Sequence, residues 1–68
     1  MHTSLTPYKN SFVAHLNDGN AIVAIVITPD GLLAHLAHDG PVSKSQVKII
    51  RELLLGEGFK DLAQKAHR

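Results

Sequence analysis

The chain predicts an α+β domain: a three-stranded antiparallel β-meander followed by a C-terminal helical hairpin packed on one sheet face. Three observations lead there. Up to Asp39-Gly40-Pro41, apolar residues come in short runs and alternations separated by turn sequences, which is the pattern of strands. Beyond that point they recur at helical spacing behind Ser43. At 68 residues the chain has room for one domain, and with no cysteine it has no disulfide to staple it.

Residues 1–10 are polar, contain Thr6-Pro7, and are expected to form a flexible arm. The meander is expected over 11–38. Ser11 to Asn17 alternates Phe12, Ala14 and Leu16 against Val13, His15 and Asn17. Asp18-Gly19 is a strong hairpin signal, because both positions tolerate positive φ. Ala21 to Thr28 is rich in Ile and Val and apolar at nearly every position, as a central strand would be. Pro29-Asp30-Gly31 makes a second turn, and Leu32 to His38 reads as a third strand whose Leu and Ala would also suit a short helix.

If both turns are two-residue loops, Ala14 pairs with Val23, Phe12 with Ile25, Ile27 with Ala34 and Ile25 with Leu36. The core face is then Phe12, Ala14, Leu16, Val23, Ile25, Ile27, Ala34 and Leu36, with His38 at its end. The opposite face carries Val13, His15, Ile22, Ala24, Val26, Leu33, His35 and Ala37. A slip of one residue in either hairpin would exchange these sets.

Two helices are expected over 43–67. Ser43-Lys44-Ser45-Gln46 fits a capping box. Val47, Ile49, Ile50, Leu53 and Leu54 form one apolar arc, and Lys44, Lys48 and Arg51 form a basic stripe at i, i+4 and i+7. Leu55 falls on the basic side, outside the arc. Gly56 is placed to end the helix as its C′ residue. Phe59 to Ala66 then forms a second helix with Phe59, Leu62, Ala63 and Ala66 on one face.

Charge is unevenly distributed. Residues 1–42 carry Lys9 against Asp18, Asp30 and Asp39, a net −2, while the helical half sums to +3. Lys44, Lys48, Arg51, Lys60 and Arg68 are therefore the candidates for contact with nucleic acid or an acidic partner. Only three aromatic residues are present, Tyr8, Phe12 and Phe59, which is few for base stacking. The longest apolar run, Ala21 to Ile27, is too short to span a bilayer, and Met1 to Asn10 has no apolar signal segment. The cytoplasm is the expected compartment, with no membrane partner.

Catalytic chemistry finds little purchase. Asp18, Asp30 and Asp39 sit in turns, Ser43 and Ser45 are explained by capping, and Gly56-Glu57-Gly58 follows a helix rather than the strand a phosphate loop requires. Five histidines are numerous, but His35 and His38 point to opposite faces of a strand. His15 and His35 would share a face about 13 Å apart. No metal or other cofactor is expected, and a histidine-based metal or small-ligand module ranks third among the readings.

Val42 to Val47, Arg51-Glu52-Leu53-Leu54 and Gly56-Glu57-Gly58-Phe59-Lys60-Asp61-Leu62-Ala63 together resemble the first two helices of LuxR-type helix-turn-helix domains. The resemblance is one of helical-hairpin pattern and does not extend to that family's recognition helix, the element that enters a major groove. The stronger expectation comes from the sheet. Helices on one side leave Val13, His15, Ile22, Ala24, Val26, Leu33, His35 and Ala37 on the other, an apolar face expected to meet a second copy or another protein unless the N-terminal arm covers it. The functional expectation is a small non-enzymatic binding or regulatory protein acting through protein–protein contacts as a homodimer. A nucleic-acid-binding regulator is the alternative.

Overall fold

The computed structural model describes residues 3–19, 21–37 and 40–68. His38 and Asp39, expected at the end of the third strand and in the following turn, lie outside the described residues. The class is α+β as expected, but the antiparallel sheet has four strands instead of three, in the order β1-β2-β3-β4. These are β1 (Thr3–Tyr8), β2 (Ser11–Asp18), β3 (Ala21–Ile27) and β4 (Leu33–His35), followed by α1 (Lys44–Gly56) and α2 (Lys60–Lys65).

The added strand is the segment expected to be an arm. Pro7 does not prevent this, because β1 is an edge strand, where a missing N–H is tolerated. β1 pairs Leu5 with Ala14 and Pro7 with Phe12. It turns into β2 at Lys9-Asn10, with Lys9 at φ 55°. The segment thus extends the sheet sideways and does not lie across the open face.

The first expected hairpin is displaced by two residues. Ala14 pairs with Ile25 and Phe12 with Ile27, and the last pair is Asp18 with Ala21. An even shift preserves the faces, so Ala14, Leu16, Ile25 and Ile27 still point into the core. The second hairpin is displaced by one, which exchanges the faces of β4. Ile27 pairs with Leu33 and Ile25 with His35. The cause is the loop: Pro29, Asp30 and Gly31 form a three-residue connection in place of a two-residue one. Gly31 N–H donates to the Thr28 carbonyl (2.9 Å), Thr28 N–H donates to the Leu32 carbonyl (3.0 Å), and Gly31 takes φ 91°. This is the type I turn plus left-handed residue typical of such loops. Leu33 is consequently buried in the core, while Ala34 and Leu36, expected there, are exposed.

Both helices cover the same sheet face. Val47, Ile50 and Leu54 of α1 meet Ala14, Leu16, Ile25, Ile27 and Leu33, with Val42, Ala63 and Ala66 completing the cluster. Full burial of a side chain such as Ile50 or Leu54 contributes about 1.5–3 kcal/mol. The α1 start is the expected capping box: Gln46 N–H donates to Ser43 Oγ (3.1 Å) and Ser43 N–H to Gln46 Oε1 (3.0 Å). The end differs from expectation. Gly56 is still helical, Glu57 is the cap, and Gly58 at φ 90° is the left-handed residue. Gly58 N–H donates to Leu55 O and Phe59 N–H to Leu54 O, the paired bonds of a Schellman motif. Phe59 precedes α2, and its ring lies 4.9 Å from that of Phe12.

The residues after α2 close the far edge of the sheet. Leu32 and His67 form a parallel bridge in which Leu33 N–H donates to His67 O (2.8 Å) and His67 N–H to Gly31 O (2.9 Å).

Candidate binding surfaces

Two surfaces stand out, and the fold places them on different sides. The first is the sheet face turned away from the helices. Of the residues expected there, Val13, His15, Ile22, Ala24 and Val26 are present, as the pairings Val13–Val26 and His15–Ala24 require. Leu33 and His35 are not. The one-residue shift of β4 turns Leu33 into the core and His35 toward the helical side, where its Nε2–H donates to the Pro41 carbonyl (3.2 Å). Ala37 lies beyond β4 and is exposed. Ala34, opposite Val26, and Leu36, beside Ala24, occupy the places expected for His35 and Ala37. Tyr8 joins from β1, a contribution sequence reasoning missed because the segment was read as an arm.

This face mixes apolar residues with Ser4, Thr6, Ser11 and Asn17, and no described helix covers it. Ile22 is 73% exposed, Leu36 53% and Tyr8 48%. Val13, between Thr6 and Val26, is nonetheless buried, so the middle of the face is closely packed. Apart from the ring of His15, no side chain described on this face is titratable or charged save the Tyr8 phenol. Lys9 stands at its rim with Nζ 5.8 Å from the Tyr8 ring centre.

The second surface is basic. Lys44, Lys48 and Arg51 of α1 converge with His67 and Arg68 around a groove of about 500 Å³ that Val47 and Glu52 also line. Four of the five basic residues singled out from sequence are thus brought together, and Lys60 is not among them. Two of the four are tied down by long-range bonds that no local pattern reveals. Arg51 Nη2 donates to the Ala66 carbonyl (2.7 Å), and Arg68 Nη1 donates to the Val42 carbonyl (3.3 Å). Each bond uses one of five guanidinium donors. His67 adds a further anchor, its Nδ1–H donating to the Lys65 carbonyl (2.8 Å).

The charge of the groove runs against helix stability. The first turn of α1 contains Lys44 and no acidic residue. A cation there faces the positive end of the helix dipole, at a cost of about 0.3–1 kcal/mol relative to a favourable charge.

The shift of β4 also separates His15 from His35, and among the described residues no group of three or more His, Asp or Glu is placed to hold a metal ion. No described helix is long and apolar enough to cross a membrane. The chain matches no family model, and neither the curated proteins nor the solved structures contain a significant match to it.

Proposed function

We propose that this protein is a small, non-enzymatic binding protein of the cytoplasm that associates with a second copy of itself through the open sheet face. The observation that carries this reading is the set of exposed apolar side chains on the open sheet face, where Ile22, Leu36 and Tyr8 are all about half exposed or more. Exposed apolar patches of several hundred Å² usually mark an interaction surface. A face with no fixed charge among its described side chains meets its own copy without like-charge repulsion, and Ala24 on the inner strand β3 allows close approach of another backbone.

Size sets the strength. Four strands at about 4.8 Å spacing and seven residues at about 3.3 Å rise outline roughly 400 Å². That is about half of what each partner contributes to a standard stable interface. The association is therefore weak and concentration-dependent.

Sedimentation equilibrium across a concentration series tests this. The weight-average mass should rise above the 7.4 kDa of one chain as concentration increases. Ala24→Glu places a carboxylate at the centre of the face without entering the helix-side core. It should hold the mass at one chain while leaving the far-UV circular dichroism unchanged. A wild-type mass that stays at one chain throughout, or an Ala24→Glu variant that associates equally well, would refute the reading.

A further inference from the structure

The basic groove lies on the helical side of the molecule and is independent of the sheet-face association. Three features define what it can hold. The first is its charge spacing. Lys44, Lys48 and Arg51 span seven residues of α1, about 10.5 Å at helical rise. Over the same length duplex DNA presents about six phosphate charges, one per 1.7 Å or so. An extended peptide with a carboxylate at every second residue presents one charge per 6.6 Å or so, close to the 6 Å step from Lys44 to Lys48.

The second feature is the lining. No Phe, Tyr or Trp ring is among the residues that line the groove, so the large stacking platforms of single-strand binders are absent from it and the His67 imidazole is its one ring. The third is what continues the stripe. One turn beyond Arg51 stands Leu55, 51% exposed, beside a notch bordered by Arg51, Ala63 and Gln64. A phosphodiester backbone has no use for an apolar contact at that point, whereas a peptide side chain does.

We infer that this groove binds an acidic peptide segment whose carboxylates pair with Lys44, Lys48 and Arg51 and whose following apolar side chain seats against Leu55. Arg51 and Arg68 are held in place beforehand by their bonds to Ala66 and Val42, so those cations need little further ordering when the peptide arrives.

Fluorescence anisotropy decides the matter with three labelled probes: an oligoglutamate peptide, the same peptide ending in leucine, and a duplex DNA of comparable charge. All are titrated with the full chain at roughly 50 and 200 mM salt. Both peptides should bind more tightly than the duplex and weaken with salt, and the leucine-ended peptide should bind the tighter of the two. Lys48→Glu should reduce peptide affinity about tenfold, equivalent to about 1.4 kcal/mol. Lys60→Glu changes the net charge equally but lies outside the groove, and should leave the affinity within about twofold, a difference of less than 0.5 kcal/mol. Leu55→Ser should remove the gain from the terminal leucine and nothing else. No peptide binding at the lower salt, tighter binding of the duplex, equal effects of Lys48→Glu and Lys60→Glu, or no gain from the leucine would each overturn the inference.

Discussion

Gly31 is the point at which the hairpin between β3 and β4 touches the end of α2, and its replacement by alanine should be the most damaging single-methyl change in the chain. Two separate costs add there. The backbone has φ +91°, a conformation that costs an L side chain about 1–2 kcal/mol. A Cβ at this position would also lie 2.5 Å from the Lys65 carbonyl oxygen and 2.6 Å from the Lys65 carbonyl carbon. Both atoms are backbone and cannot rotate away, so the overpacking adds about 1–3 kcal/mol. The sum, about 2–5 kcal/mol, is a large share of the roughly 3–10 kcal/mol expected for a domain of 68 residues. Gly58 supplies the control, since it has φ +90° but nothing within 4 Å of a built Cβ. Gly58→Ala should therefore cost only the conformational part, about 1–2 kcal/mol. Urea unfolding followed by far-UV circular dichroism measures both. If Gly31→Ala and Gly58→Ala lose the same stability within error, the close approach of the hairpin to Lys65 does not exist in solution and the reasoning fails.

Other outcomes follow from the same structure. Ser43→Ala removes the acceptor for Gln46 N–H and should cost about 1 kcal/mol in urea unfolding; an unchanged midpoint would mean that the capping box does not support α1. The Asp30 carboxyl is held below its ordinary value by the Thr28 hydroxyl, which donates to it, then by its own backbone N–H, with lesser help from Leu32 N–H and the charge of His67. A carboxyl depressed in the folded state contributes stability above its unfolded value of 3.8 and loses it as pH falls through the lower folded value. Asp30→Asn should accordingly flatten the fall in thermal midpoint below about pH 4, and a wild-type slope in the variant would count against the hydrogen-bonded turn.

Much of the architecture was legible because short-range chemistry determines it. The Ser43 box, the apolar arc of α1 and the Ile/Val run of β3 each follow from residues within a few positions of one another. The faces of β2 and β3 survived a mistaken register because the error was even. β4 did not, because Pro29-Asp30-Gly31 closed a loop of odd length, and a dipeptide signal does not state how many residues a turn will use. β1 was missed for a different reason. With Leu5 as its one strongly apolar inward residue and Pro7 within it, the segment owes its strand form to the edge of β2, a partner outside its own sequence. The same holds for the basic groove. The Lys44–Lys48–Arg51 stripe could be read from spacing, but Arg68 joins it through a bond to Val42, 26 positions away.

The bridge between Leu32 and His67 has a consequence for how this sheet can grow. A row of strands with two bare edges can add neighbours at both and lengthen without limit. Here the start of the edge beside β4 already has His67 O and N–H bonded to Leu33 and Gly31, so less of that edge is open than of the β1 edge. An assembly joined β1 to β1 about a two-fold axis closes at two chains. Pro7, lacking an N–H, removes one rung even from that ladder. The bridge shortens the second open edge, and a chain whose bridge is released would present the full length of it for pairing.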